Sequence, residues 1–182
     1  MTSNDTWVSV STDYVKPRVR GDRDAWTQEA ASYGRAGSQR LREVAEVEPP
    51  PAVAEALGVS AGESVVVRRR VMLLDGRPVE LTDSYYPTAV ARGTRLAEAR
   101  KIPGGAPTLL ADLGYELRYV DEDVSAQLAT DDEQRLLGLV GPEPVIVLFR
   151  VATTTDGRPV EVSVMTMLAA GRHLRYRLTI GE

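Results

Sequence analysis

Two arginines, Arg70 and Arg150, occupy matched positions inside stretches that are rich in Val, Leu and other apolar residues. An arginine in such a strand most often forms an ion pair with a carboxylate of the neighbouring strand, here Glu80 or Glu161. Alternatively, its forked guanidinium faces a cavity and binds an anion. A duplication preserves folding roles in both copies more readily than ligand roles, which favours the ion pair for Arg150 especially.

The remaining residues give little support for a catalytic or metal-binding function. The chain has no cysteine, which excludes thiol chemistry and disulfides, and its single histidine, His173, has no motif nearby. We therefore predict no catalytic residue, no metal site and no cofactor. The carboxylates at 121–123 are interpreted as a solvated patch, and the two Asp-Gly-Arg-Pro elements as turns, because no helix N-terminus follows them to bind phosphate.

The two arginines belong to an internal repeat. Residues 65–71 match residues 145–151, and the six residues DGRPVE at 75–80 recur at 156–161. In each copy a β-rich segment (39–47 and 120–127) precedes a short helix, which Gly58 or Gly138 ends. Two Val-rich runs joined by Asp-Gly then predict a hairpin. Each half is therefore predicted to be a β-α-β-β unit, with Thr130 as N-cap of the second helix.

The repeat predicts an α+β fold with a mainly antiparallel sheet and flanking helices. A further helix is expected in 106–116, and the alternation in 173–180 predicts a final strand. Two such units can pair across a pseudo-two-fold axis and merge their hairpins into one sheet. The junction of the two halves is then the natural place for a cleft.

The second hairpin strands separate their side chains onto two faces. One face is expected to pack under helices, and the other carries Glu80, Thr82, Ser84 and Tyr86, with Glu161, Ser163 and Met165 in the second copy. This mixed face either lines the cleft or is simply exposed to solvent, as is usual for antiparallel sheets. The pattern alone leaves both possibilities open.

The length, composition and net charge limit the classes of protein to which the chain can belong. With 182 residues, 43% apolar and 26% charged, the chain is expected to form one domain with an N-terminal extension. The net charge of −4 gives no general attraction to nucleic acid. Because no apolar run reaches the ~20 residues of a membrane span and no signal peptide is recognisable, we predict a cytoplasmic location.

The segments "VVVRRRVMLLDGRPVELTDSYYP", "KIPGGAPTLLADLGY", "EDVSAQLATDDEQRLLGL" and "VIVLFRVATTTDGRPVEVSVMTM" together resemble the UTRA effector-binding domain of HutC-type regulators in the GntR superfamily. We assign residues 1–37 to a linker-like extension and 38–182 to the UTRA-like domain. The resemblance implies a chorismate-lyase-like fold, a small molecule bound in the cleft, and homodimers. It also implies an allosteric role, in which the effector changes the spacing of winged helix-turn-helix heads on DNA.

The N-terminal 38 residues depart from the family pattern. They show no succession of three amphipathic helices, and "YVKPRVRG" resembles the linker that follows the wing. Lys16, Arg18, Arg20 and Arg23 are interpreted as part of a linker or disordered segment rather than a DNA arm. DNA is therefore expected to be bound only through a head that this chain lacks, and a heterodimer with a full-length paralogue is possible.

The candidate ligand-binding residues also depart from the family pattern. Sugar-phosphate-sensing relatives carry Arg-x-Arg before the hairpin, which corresponds here to Arg70 and Met72, and a glutamate of the next strand corresponds to Thr82. We therefore expect an effector that is not a sugar phosphate. The predicted effector-binding residues are Arg70, Met72, Thr82, Ser84, Tyr86, Glu161, Ser163, Met165 and Tyr176.

Two alternatives stay open at this point. The chorismate-lyase-like fold suggests an enzyme, with Arg70 and Glu161 as candidates for substrate contacts, although fold does not imply function. The domain could also be a dimerisation module whose cleft is vestigial, which a filled cleft would support.

Overall fold

The computed structural model describes residues 7–19, 22–177 and 180. Its main element is a six-stranded antiparallel sheet with the strand order β2-β3-β4-β7-β6-β5. The strands are β1 (Trp7–Ser9), β2 (Gly37–Val47), β3 (Val65–Leu74), β4 (Arg77–Pro87), β5 (Leu117–Leu128), β6 (Pro144–Thr154), β7 (Pro159–Leu168) and β8 (Arg172–Leu174). The short strands β1 and β8 form a separate parallel pair.

Short helices flank the sheet, as predicted for an α+β fold. The helices are α1 (Thr12–Val15), α2 (Ala25–Ser32), α3 (Pro51–Leu57), α4 (Thr88–Ala91), α5 (Ala106–Asp112) and α6 (Asp131–Leu137), with a 3-10 turn at Arg95–Ala97. Within the described residues, none of the helices is long and apolar enough to span a membrane.

The sheet confirms the internal duplication. The strands β2-β3-β4 of the first copy are followed in the sheet by the equivalent strands of the second copy in reverse order, β7-β6-β5. The two copies meet where β4 pairs with β7, and Ser84 lies opposite Ser163 there. In the first hairpin Asp75 and Gly76 take φ of 50° and 78°, the left-handed pair that a type I′ turn requires. Each copy is the predicted β-α-β-β unit.

The helices α3 and α6 occupy equivalent places on one face of the sheet. Val53 and Leu57 of α3 pack on Val65, Val67 and Tyr85, and the buried Leu137 of α6 joins a second cluster on the same face. Thr130 and Glu133 form a complete capping box, and Gly138 ends α6 in the left-handed conformation. The predicted caps are therefore confirmed.

The N-terminal residues are more ordered than a linker. Trp7 and Trp26 are 8% and 2% exposed and pack on Met72 and Leu74 of β3. Trp26 also donates from its indole nitrogen to the carbonyl of Leu73 at 3.0 Å. For residues 7–19 and 22–37 the expectation of a disordered or linker segment is wrong, because two tryptophans offer enough apolar surface to dock the segment on the sheet. Arg20 lies outside the described residues, and the boundary at residue 38 stays a prediction.

The C-terminal prediction was wrong in part. The strand predicted over residues 173–180 is limited to Arg172–Leu174, and it pairs with β1 instead of extending the main sheet. Residues 178 and 179 of that prediction lie outside the described residues. The alternation of apolar and basic residues identified a strand correctly, but its partner is the N-terminal segment that sequence reasoning had assigned to a linker.

Candidate functional site

A cavity of about 100 Å³ lies on the face of the sheet opposite α3 and α6, at the junction of the two copies. The sheet forms its floor, the loop before α5 forms one wall, and residues 14–18 and 24–26 cover it. A smaller cavity of about 70 Å³ adjoins it, and Gln39 and Arg70 line both. The cleft predicted from the duplication is therefore present, and the filled cleft that would have supported the dimerisation-module alternative is not found.

The structure brings most of the predicted effector residues to this cleft. Six of them line the larger cavity and Tyr86 lines the smaller one, while Ser84 lies buried between them. The six are Arg70, Met72, Thr82, Glu161, Ser163 and Met165. Their role in binding stays a prediction, but their juxtaposition is now a structural fact.

Tyr176 is not brought to the cleft. It is 50% exposed and lines a separate groove of about 580 Å³ with Ser11, Val120 and Glu122. The physical reason is that β8 leaves the main sheet and ends at Leu174. Tyr176 therefore does not line the cavity that Arg70 lines, and its role in effector binding stays a prediction.

The polar face of the central strands is buried, not solvated. Glu80, Thr82, Ser84 and Ser163 are 8%, 5%, 0% and 4% exposed. A buried polar group is costly unless it finds a hydrogen-bond partner, and each of these four has one. Of the two interpretations left open by the pattern, solvent exposure is wrong.

A chain of hydrogen bonds joins Arg70 to Glu161 across the junction. The Arg70 Nη2 donates to Ser84 Oγ, Ser84 Oγ lies 2.7 Å from Ser163 Oγ, and Ser163 Oγ donates to Glu161 Oε1, each bond being 2.7 Å long. Because Ser163 gives its one proton to the carboxylate, Ser84 must donate to Ser163. The order of donors therefore runs from the cation on β3 to the anion on β7.

Arg70 has an unused donor. Its Nε is buried and has no hydrogen-bond partner among the described residues, and it is the one buried side-chain nitrogen or oxygen of which this is true. Leaving a buried donor unpaired costs about 1–3 kcal/mol, more for a charged group. An acceptor that enters the cavity would remove this cost.

Burial also fixes the state of Tyr86. It raises the pKa of the Tyr86 hydroxyl well above its ordinary range, and the nearby Glu161 carboxylate adds to the effect. The hydroxyl is therefore neutral at physiological pH and can donate a hydrogen bond. Tyr86 thus supplies a polar group to the smaller cavity without adding charge.

Arg68 holds the wall of the cleft in place. Arg68 is 4% exposed, and its guanidinium donates to the carbonyls of Leu96, Glu98 and Arg100 at 2.7–2.8 Å. These carbonyls belong to the loop that leads to Gly104 and Gly105 at the cavity. Sequence reasoning missed this residue, because three consecutive arginines in β3 look alike in the sequence and only their alternation in the strand separates them.

The ion pairs differ from those predicted. Arg150 pairs with Glu122 on the edge strand β5, with Nε 2.6 Å from Oε1, and not with Glu161. Glu80 lies 3.5 Å from Arg172 and does not pair with Arg70. The solvated-patch interpretation is therefore wrong for Glu122, whose side chain is 8% exposed, although Asp121 and Asp123 are exposed as expected.

The cover of the cavity was also missed from the sequence. Tyr14, Val15, Lys16, Arg18 and Trp26 line it from above. The Tyr14 hydroxyl donates to Glu29, and the backbone nitrogen of Arg18 donates to Thr108 Oγ1 at 3.0 Å, which ties this segment to α5. The two tryptophans in the first 26 residues were the signal that could have revealed a docked segment.

Comparison with known proteins agrees with this architecture. A protein 32% identical over 157 residues, an HTH-type transcriptional regulator of Streptomyces coelicolor, shares 83% of this chain and 58% of its own length. An HTH-type transcriptional regulator of Mycobacterium tuberculosis is 31% identical over 121 residues, covering 63% of this chain and 42% of its own. The chain thus spans about half the length of the curated relatives it matches.

Solved structures share the fold. The ligand-binding domain of a protein described as a GntR-family transcriptional regulator from Bordetella bronchiseptica aligns with a TM-score of 0.68 at 25% identity, covering 92% of this chain and 100% of that one. The effector domain of PhnF from Mycobacterium smegmatis aligns with a TM-score of 0.73 at 21% identity, covering 91% and 99%.

The UTRA domain model matches residues 32–170, which include every strand of the main sheet and therefore the floor of the cleft, but not its N-terminal cover. The resemblance seen in the sequence is thereby confirmed, and the relatives that match are named as regulators and not as enzymes. This chain belongs to the UTRA domain family, the effector domains of GntR-type transcriptional regulators.

Proposed function

We propose that the chain binds a small-molecule effector in the cleft between the duplicated halves and thereby modulates transcription. The observation that carries this proposal is Arg70, which lines the cavity and whose buried Nε has no hydrogen-bond partner among the described residues. A pocket of this kind, with a few polar groups among apolar walls, is the usual form of a small-molecule site. The absence of turnover is part of the proposal.

The effector is not a sugar phosphate. Where the resemblance places a second phosphate-binding arginine, Met72 presents a thioether to the cavity and is 6% exposed. Arg150 also lines the cavity, but its charge is already paired with Glu122. A dianionic phosphate would meet the Arg70 guanidinium together with the Glu161 carboxylate, which forms no ion pair in the described part of the chain, and this carboxylate disfavours it electrostatically.

The N-terminal residues couple the effector cavity to the DNA-binding part of the regulator in this proposal. Residues 14–18 and 24–26 contact the cavity directly, so an effector that fills the cavity changes how this segment docks. In the HTH-type relatives a DNA-binding domain is a separate part of the protein. The effector would thus set the relation between the two parts, which is a coupling free energy in the strict sense.

Dimerisation completes the proposal. Two effector domains in a cytoplasmic homodimer would hold a pair of DNA-binding heads, and a heterodimer with a full-length paralogue would carry one head fewer and bind its operator more weakly. HutC-type behaviour of this kind is a proposal that rests on the family resemblance.

Native mass spectrometry of the purified chain, at several protein concentrations, tests the proposal. We expect a dimer that carries an extra mass of a few hundred daltons or less, and loss of that mass in Arg70→Met. Arg77→Met is the matched control, because Arg77 lies exposed at the hairpin turn. A ligand-free dimer that no metabolite stabilises would favour the dimerisation module, and a monomer would overturn the dimer model.

A further inference from the structure

We infer that the effector is a small dipolar molecule, with an anionic group for Arg70 and a cationic group for Glu161. This inference rests on the proposed function and specifies the ligand class of the same cleft. It follows from which charges of the cavity wall are already paired, from the spacing of those that are not, and from the size of the cavity.

Seven charged residues line the cavity, and three of them, Asp24, Glu80 and Arg150, form ion pairs with residues outside its wall. Arg150 binds Glu122 at 2.6 Å, and Glu80 lies 3.5 Å from Arg172. The two pairs are largely buried, since all four side chains are at most 10% exposed. These four charges therefore contribute little net attraction to a ligand.

The charged side chains of the N-terminal cover have partners or solvent outside the cavity, although among the described residues only Asp24 of this cover forms an ion pair. Asp24 lies 2.8 Å from Lys101. The Arg18 guanidinium donates to Gln28 and to the carbonyls of Arg23 and Asp13, all within its own segment. Lys16 is exposed, so solvent screens its charge.

Arg70 and Glu161 are different. Across the described part of the chain neither forms an ion pair, and the two are connected to each other only through the hydroxyls of Ser84 and Ser163. Arg70 has its free Nε, and no described side chain donates to Glu161 Oε2. One cation and one anion, each with unused hydrogen-bonding capacity, therefore line the same cavity.

The sheet sets the distance between the two charges. Arg70 lies on β3 and Glu161 on β7, with β4 between them. Three hydrogen bonds of 2.7 Å each link Arg70 Nη2 to Glu161 Oε1 through Ser84 and Ser163, so these two atoms are at most about 8 Å apart. A ligand whose opposite charges are several ångströms apart can reach both side chains, each of which extends towards the cavity.

The size of the cavity limits the ligand. A cavity of about 150 Å³ in another protein holds benzene, and the two adjoining cavities here measure about 100 and 70 Å³. Met72 and Met165 add flexible apolar walls. A compact ring or short chain with a carboxylate at one end and an ammonium at the other fits these constraints.

Titration calorimetry with three matched probes tests this inference. The probes are para-(aminomethyl)benzoate, which carries both charges, benzoate, which carries the negative one, and benzylamine, which carries the positive one. We expect the dipolar probe to bind the wild-type chain at least about tenfold more tightly than either single-charge probe.

The variants separate the two contacts. Glu161→Gln should weaken the dipolar probe about tenfold and should not weaken benzoate, which gains from the loss of a repelling carboxylate, whereas Arg70→Met should weaken benzoate and the dipolar probe but not benzylamine. Glu55→Gln, on the exposed side of α3, and Arg77→Met are the matched controls. Circular dichroism of each variant verifies that it is folded.

Several outcomes would overturn the inference. Equal or tighter binding of benzoate would show a purely anionic site, and an unchanged affinity in Glu161→Gln would remove the cationic contact. Failure of all three probes at about 10 mM would also count against it. If mass spectrometry finds a bound metabolite with a single charge, the sensor function stands and only the ligand class falls; if the chain binds no small molecule, both fall.

Discussion

Replacing Glu122 by alanine should destabilise the domain far more than the same change at its neighbours in the sequence. Glu122 on β5 lies directly opposite Arg150 on β6, and the two side chains are 8% and 9% exposed. Its second oxygen, Oε2, accepts a hydrogen bond from Ser11 at 2.9 Å. The substitution would leave the Arg150 guanidinium buried without its counter-ion and would release a contact of the N-terminal segment.

The expected magnitude follows from this burial. Removing one partner of a buried ion pair costs about 3–5 kcal/mol, because the remaining charge is uncompensated. For a domain of this size each kcal/mol corresponds to roughly 2–4 °C in Tm, so Tm should fall by about 6–20 °C. Asp121→Ala and Asp123→Ala remove exposed carboxylates of the same strand and should each change the free energy of unfolding by no more than about 0.5 kcal/mol.

Urea denaturation followed by far-UV circular dichroism measures these differences directly. Glu122→Gln is an informative third variant, since it retains the volume and hydrogen-bonding capacity of the side chain but not its charge, and it should lie between wild type and Glu122→Ala. If Glu122→Ala and Asp123→Ala prove equal within about 0.5 kcal/mol, the buried pair is absent in solution and the reasoning is refuted.

Three further predictions concern other parts of the fold. Thr130→Ala removes the N-cap of α6 and should cost about 1 kcal/mol in the free energy of unfolding, measured in urea against the wild type. Gly37→Ala would place a Cβ 2.6 Å from Ala30 Cβ and 3.0 Å from the Trp26 carbonyl, and should push α2 off the sheet, which faster hydrogen exchange in residues 25–32 would reveal. Burial raises the pKa of the Glu29 carboxyl, so the folded state retains a proton that the unfolded state has lost. The stabilisation from this group is therefore present at low pH and is lost as the pH rises above about 4.5. Glu29→Gln should become steadily more stable relative to wild type as the pH rises above that value, which urea titrations at several pH values would measure.

Local signals in the sequence were sufficient for the frame of the domain. The Asp-Gly pair at 75–76 specifies its turn because both residues must adopt positive φ, and Thr130 with Glu133 specifies a helix start because both side chains reach backbone donors nearby. The repeat then determines which strands are equivalent. Interactions of this kind involve neighbours in the chain or a copied register, so they can be read without coordinates.

The partners of the buried charges could not be read in this way. Arg150 was expected to pair with the adjacent hairpin strand, yet its partner comes from the strand on its other side. Residues on both neighbouring strands lie within reach of an arginine in the sheet, and the sequence does not say which face each strand presents after a bulge. The docking of Trp26 on β3 depends likewise on contacts between residues about 47 positions apart.

The two copies differ in which of their matched Arg and Glu residues form ion pairs. In the first copy the edge strand β2 places Leu41 opposite Arg70, whereas in the second copy β5 places Glu122 opposite Arg150. The matched carboxylates diverge in the same way, because Arg172 approaches Glu80 but no equivalent residue of the described chain approaches Glu161. Glu80 is therefore paired in the first copy and Arg150 in the second, which leaves Arg70 and Glu161 without an ion-pair partner among the described residues. The fold keeps its two-fold symmetry in the backbone, and the residues at the strand edges break it, leaving a cation on one side of the axis and an anion on the other. If the proposed site binds its effector through both groups, a symmetric ligand would gain nothing from this arrangement, whereas a molecule with two different ends would be held in a single orientation.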